Sequence, residues 1–401
     1  MSKNVRYWLW FQKALGEGFD IKTILAEFGS VQTFFNATPF DWRMSTALTP
    51  RKIQKLEHTD ISESDSIIDI CSKNNWQIID YDDISYPQRL KEIPDPPAVL
   101  FVDGVLPDID NLVTIAMVGT RKASEYSIKV TNILSRGVTE CGAVVVSGGA
   151  LGVDSAAHKG ALMAGGKTIA VLGCGFGTSY LAANKSLRDT IRCNGALVTE
   201  YPPFVPAGKR TFPMRNRIIS GLSLATVVVE AGVRSGSLIT ARYAVEQGRD
   251  VFAIPASLLS TDFSGTNKLI EDGAMVATKP EQILSLYTER FDSINISKVR
   301  SVEELMYDTS DKSANISHQI DKFSFENLES GRIKRIKTEN EVNNLIGDNR
   351  IIYECLEDNF VHIDVIIQKT GLTGAKVISG LTQLEILGLA QSASGKRYKL
   401  S

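Results

Sequence analysis

The eight residues Ser147-Gly148-Gly149-Ala150-Leu151-Gly152-Val153-Asp154 constrain this chain more than any other stretch. Before them, Val144-Val145-Val146 is a short unbroken run of β-branched residues, the pattern of a strand covered on both faces. After them a helical pattern begins. Glycine at 148 and 149 lets backbone N–H groups approach a partner closely and admits a positive φ. A helix starting near Val153 would point its free N–H groups and the positive end of its dipole back at the turn. That makes an anion site, and phosphate is the expected guest.

The same construction recurs. Thr114–Val118 runs into Gly119-Thr120-Arg121-Lys122, Ile169–Leu172 into Gly173-Cys174-Gly175, and Thr226–Val229 into Glu230-Ala231-Gly232 and Ser235-Gly236-Ser237. Strands are expected at 114–118, 143–147, 168–172, 196–199, 225–229 and 250–254, with helices at 127–141, 154–165, 181–193, 216–222, 237–247 and 267–272. Strict alternation of this kind is a doubly wound α/β domain, whose strand ends collect ligands along one edge. Trp76–Tyr81 and Val99–Val102 should add edge strands, with the extended prolines Pro94, Pro96 and Pro97 between them. The dinucleotide fingerprint GxGxxG with its ribose-binding acid is absent, so no cofactor is expected.

Residues 1–60 read as a small helical domain, with apolar positions at helical spacing through Trp8–Phe11, Ile24-Leu25 and Phe34-Phe35 and a last helix opened by Leu48-Thr49-Pro50. Its aromatics read as core rather than as base-stacking rings. The α/β domain is set at 61–290. Residues 291–344 are polar enough for a flexible linker, with a basic cluster at Arg332, Lys334, Arg335 and Lys337. From 345 to 401, three helical patterns and a basic hairpin read as a winged helix. Its third helical pattern holds one cation, Lys376, so a protein contact and weak duplex binding are equally open. Five cysteines without CxxC spacing fit a reducing compartment, and no apolar run reaches about 18 residues. A cytoplasmic protein away from membranes is expected.

A net charge of −2 puts any polyanion binding into local patches. The clearest is Ala207 to Arg217, with Lys209, Arg210, Arg215 and Arg217, no acids, and Phe212 among them. Cations interleaved with an aromatic suit a single strand, since the cations neutralise phosphates and the ring stacks on a base. The bland alternative is that Phe212-Pro213 is a packed turn and the arginines pair with acids such as Glu200 or Glu230. Asp154 and His158, four apart, would share a helical face, but no third metal ligand is near in sequence and Asp154 at a helix start reads as a cap. Glu200 and Glu230 at strand ends would also serve a Rossmann-type hydrolase of nucleotide glycosidic bonds. Such enzymes carry a PGGxGTxxE-type turn, and here Glu230–Ser237 reads otherwise.

Val118-Gly119-Thr120-Arg121, Ser147–Asp154 with His158, Phe212–Ser223, Ser235–Ala241, Gln247–Pro255 and Gly265–Ile270 with Gly273-Ala274, in that order, resemble the signature blocks of the DNA-processing protein DprA (Smf) family. The resemblance implies an extended Rossmann-like doubly wound parallel sheet. An N-terminal helical domain of the SAM or helix-hairpin-helix kind and a C-terminal winged-helix-like domain would flank it. It implies a non-enzymatic role: sequence-independent binding of single-stranded DNA, protection of incoming strands in natural transformation, loading of the RecA recombinase, and self-association as a homodimer. Its binding residues map to Gly119 and Arg121, where a guanidinium fork suits phosphate better than an ammonium. They map also to Ser147, Gly148 and Gly149, to Lys185 shortly after Tyr180-Leu181, to Lys209 and Phe212, to Asn216 and Arg217, and to Ser235, Gly236 and Ser237.

Overall fold

A computed structural model describes residues 2–179, 184–306, 348–356, 360–386, 390–393 and 397–400. They form two compact units that divide between residues 306 and 348. Among these residues no helix is long and apolar enough to cross a membrane.

The larger unit begins with six helices, α1 (Val5–Leu15), α2 (Ile21–Phe28), α3 (Val31–Asn36), α4 (Pro39–Met44), α5 (Pro50–His58) and α6 (Ser62–Lys73). Their starts are written in the sequence. Asp20 and Ser30 accept hydrogen bonds from Thr23 N and Thr33 N, and Thr38 and Asp41 form a reciprocal capping box with Pro39 in the first turn. The aromatics pack inward: Trp8, Trp10, Phe11 and Phe34 are buried in one cluster. Helix α6 lies past the expected boundary at 60, yet buries Cys71 in this same cluster.

Strands β1 (Gln77–Asp80) and β2 (Val99–Gly104) join that helical layer to the sheet. Alternation does the joining, since successive strand side chains point to opposite faces. Ile78, Val99 and Phe101 pack among the N-terminal helices, whereas Ile79, Leu100 and Val102 enter the main core. The short α7 (Gln88–Lys91) sits between the two strands.

From β3 (Thr114–Val118) the chain alternates as its pattern predicts. Next come α8 (Glu125–Glu140), β4 (Val144–Ser147), α9 (Val153–Met163), β5 (Thr168–Val171), α10 (Lys185–Cys193), β6 (Gly195–Thr199) and α11 (Thr211–Gly221). The domain continues with β7 (Ala225–Val228), α12 (Ser237–Glu246), β8 (Asp250–Ala253), α13 (Ser264–Glu271), β9 (Met275–Val276) and α14 (Pro280–Leu284). Strand order is β1-β2-β6-β5-β4-β3-β7-β8-β9. The run from β6 to β9 is parallel; β1 and β2 extend it at one edge, as expected, and pair antiparallel there. Helices α11 and α12 cover one face through Ile218, Ile219, Leu222, Ala241 and Ala244, and α8, α9 and α14 cover the other. The chain moves outward from β3 in both directions, so its order reverses beside β3, where an open sheet leaves a crevice at its carboxyl edge.

Two further features differ from expectation. Helix α11 begins at Thr211, five residues before Asn216, and runs through Pro213. Proline is tolerated in a first turn because its missing N–H has no intrahelical acceptor there. Residues 291–306, assigned by composition to the linker, are packed. Ile294 and Leu305 are buried, and Arg300 Nε donates to Glu140 of α8 at 2.9 Å. The basic cluster at 332–337 lies outside the described residues.

In the smaller unit, helices Asp348–Glu354, Ile363–Thr370 and Gly374–Ile386 enclose Ile352, Ile366, Val377, Leu381 and Leu384. A three-stranded sheet, β10 (Val361–His362), β12 (Arg397–Leu400) and β11 (Ala390–Ala393), completes a winged helix. Lys376, the lone cation of the third helix, pairs with Asp348 at 3.0 Å.

Candidate functional site

At the reversal of strand order, a cleft of about 330 Å³ is walled by the turn after β3, the turn after β4, the first half of α11 and the start of α12. Gly119 brings the two turns together. A Cβ there would lie 2.5 Å from Val153 Cγ2, and one at Gly152, whose φ is +78°, would lie 2.3 Å from Thr120 O. Thr120 O also accepts from Val153 N at 3.2 Å, so the β3 turn is fastened to the head of α9.

Arg121 reaches from that turn across α11. Its guanidinium carbon stands 4.5 Å from the Phe212 ring centroid, a cation over an aromatic face. The side chain is exposed, and both residues line the cleft. Stacking orders the arginine while leaving its N–H groups free to turn to an anion. Asn216, one helical turn beyond Phe212, donates from Nδ2 to Gly236 O at 3.3 Å and ties α11 to the start of α12. There Ser235, Gly236 and Ser237 form the opposite lip, with Ser235 and Ser237 hydroxyls 2.8 Å apart.

The glycine turn that heads the sequence argument plays a different part from the expected one. Helix α9 does start at Val153, but the carboxyl group of Asp154 stands in its first turn and accepts from Ala150 N of the glycine turn at 3.3 Å. Burial pushes the Asp154 carboxyl up from its ordinary range, and the Arg215 charge opposes the shift. Arg215, itself buried, donates from Nη1 to Gly148 O at 2.6 Å and also to Val171 O. A Cβ at Gly148 would fall 2.4 Å from that Nη1 and 2.6 Å from Asp154 Oδ2. Gly148 therefore makes room for the Arg215 guanidinium and the Asp154 carboxyl at the cleft floor, and Gly149 supplies the positive φ, +66°, of the turn. Ser147 lies beneath, donating to Met117 O at 2.6 Å, with no exposed surface.

Of the residues expected at the site, the cleft is thus lined by Gly119, Arg121, Phe212, Asn216, Ser235, Gly236 and Ser237. Ser147, Gly148 and Gly149 form its support. Arg217 is a correction: it is fully buried, donating to Glu200 Oε2 at 2.7 Å and to Asp95 Oδ2 at 3.1 Å. Burial works against its charge, and the carboxylates of Glu200 and Asp95 override that effect. It has no exposed surface to offer a ligand. Lys185 and Lys209 are exposed but do not line the cleft. Lys185 opens α10 after its N-cap Asn184; residues 180–183, just before, lie outside the described residues. Thr120 and Arg215 also line the cleft; the sequence placed Arg215 in the cationic patch but could not tell it from Arg217, which points away from the cleft.

The other candidate chemistry has structural partners. Glu200 holds Arg217, and Glu230 Oε2 accepts from Ser124 N and Oγ at 2.9 and 2.8 Å. His158 is fully buried with Nδ1 2.8 Å from Thr168 Oγ1, and burial together with the Arg215 charge lowers its pKa to about 3. No group of three metal-ligating side chains occurs among the described residues.

Residues 77–288 match the family profile described as DNA recombination-mediator protein A, and residues 339–396 match the one described as DprA winged helix domain. Protein Smf of Synechocystis is 30% identical over 402 residues, covering 98% of each chain. DNA processing protein DprA of Streptococcus pneumoniae is 45% identical over 203 residues, 51% of this chain and 71% of the relative. The X-ray structure of the Streptococcus pneumoniae protein superposes with a TM-score of 0.62 at 34% identity, covering 70% of this chain and 97% of that one.

Proposed function

The chain belongs to the DNA-processing protein DprA (Smf) family, and from that premise we propose that its cleft binds single-stranded DNA without reading sequence. The observation that carries this reading is Arg121 held over the Phe212 ring at the rim of the cleft. A phosphate can take the guanidinium edge bidentately while a neighbouring base stacks on an exposed face of the pair. Beside Arg121 and the buried Arg215 and Asp154, the cleft walls present backbone, hydroxyls and one amide, which favours recognition of the backbone. In the cell, the family resemblance supports protection of incoming strands in transformation, delivery to the RecA recombinase, and a homodimeric cytoplasmic protein. Such a role asks for binding, not for bond breaking.

Titrating a labelled oligothymidylate with the protein across a salt series tests the reading. Affinity should fall as salt rises, and Arg121→Ala should weaken binding about tenfold or more without shifting the melting transition. Unaltered binding by Arg121→Ala would remove the strand from this cleft.

A further inference from the structure

We propose that the bound strand continues out of the cleft, over the Thr120 turn, into a second subsite formed by Lys122, Arg234 and the ring of Tyr126. This rests on the single-strand reading of the cleft. A second hollow of about 750 Å³ opens beside the first, and Thr120 and Ser235 line both, so the two share a rim. Lys122 and Arg234 line the second hollow. Both are exposed, and neither pairs with an acid among the described residues.

The two acids there differ. Glu230 is 2% exposed with its carboxylate held by Ser124, whereas Asp262 is exposed and opposes an anion. Tyr126, at the start of α8, is 50% exposed, and its ring meets Phe263 edge-on at 5.8 Å between centroids. Phe263 lies in sequence between Asp262 and Ser264, both of which line the hollow. A tyrosine braced by a buried ring offers a stacking face with little freedom left to lose. The second subsite thus draws on the same kinds of group as the first, exposed cations and an aromatic ring, on the other side of one turn. A strand is continuous, and a strand leaving Arg121 on this side meets Lys122 next.

Strand length separates the two subsites. An oligothymidylate of about 4 nucleotides fills the cleft, and one of about 16 reaches both hollows. The double variant Lys122→Ala/Arg234→Ala should bind the longer strand about tenfold more weakly and the shorter one as the unaltered protein does. Its log–log salt slope on the longer strand should fall by about 1.4, two phosphates at ~0.7 each. Tyr126→Ala should weaken only the longer strand, and Asp262→Ala should tighten it at low salt. Equal loss on both lengths, or no loss on either, overturns the second subsite while leaving the cleft reading intact. Loss of neither length in Arg121→Ala overturns the cleft reading itself, and the second subsite with it.

Discussion

Two side chains in this fold, four and sixty-one residues along from Asp154, show what burial does to a basic group. Arg215 lies in the cleft floor with its guanidinium satisfied by the carbonyl oxygens of Gly148 and Val171, which accept hydrogen bonds from its Nη1. His158 goes the other way: enclosed beside Thr168 and near that same arginine, it is held neutral with a pKa of about 3. Unfolded, it would titrate near 6.5. Between those values the unfolded chain binds the extra proton, so acid favours unfolding. His158 therefore costs no stability above about pH 6.5 and makes the fold progressively weaker as pH falls toward 3. From pH 7 to pH 5 the loss is on the order of 2 kcal/mol. Urea unfolding at the two pH values measures it. His158→Asn, whose amide can still donate to Thr168, should flatten the pH dependence by about that amount. A variant with the slope of the parent protein would mean that His158 does not stay neutral in the folded state.

At the scale of elements, α11 does two jobs with alternate faces. Its outward residues Phe212 and Asn216 line the cleft, while Arg217 and Ile218 are buried behind them. Arg217 joins the helix to Glu200 after β6 and to Asp95 before β2, and Gln12 of α1 donates to the Glu200 carbonyl. Removing one partner of such a pair leaves a buried charge behind, so Arg217→Ala should destabilise the protein by about 3–5 kcal/mol. Arg121→Ala should do the reverse, costing binding and not stability. Denaturant midpoints and anisotropy on both variants check the contrast. An Arg217→Ala protein of unchanged midpoint would make the ion pair dispensable. The sequence offered Glu200 as a partner for the arginines of 207–217 but not which of them it holds, and neither Arg121 nor Arg217 has an acid within three residues to tell the two apart. Glu200 is 17 residues from Arg217 and Asp95 is 122 away, and only the fold brings them together. The strands were legible, because runs such as Val144–Val146 are apolar on both faces and admit one interpretation. The start of α11 was not, since Pro213 reads as a break until its place in the first turn is known. Nor was α6, whose sequence SESDSIIDICSK is largely polar.

The whole molecule places its proposed binding chemistry in one unit. Every wall of the cleft lies in the larger one, and the winged helix has a separate core built on Ile352, Ile366 and Leu381. A body of so few residues buries a small share of its surface and should be the weaker of the two. All four tryptophans, Trp8, Trp10, Trp42 and Trp76, belong to the larger unit, so their fluorescence reports on it alone, while far-ultraviolet circular dichroism senses both. In a urea titration the dichroism should therefore show an early phase that fluorescence lacks. A ligand that binds only the folded larger unit raises that unit's stability, by about 2.7 kcal/mol at a hundredfold excess over Kd, and leaves the other untouched. Oligothymidylate should accordingly move the fluorescence midpoint upward and leave the early dichroism phase where it was. If the two probes coincide, or if the strand shifts both phases together, the winged helix shares either the cooperative unit or the strand, and single-strand binding can no longer be assigned to the α/β edge alone.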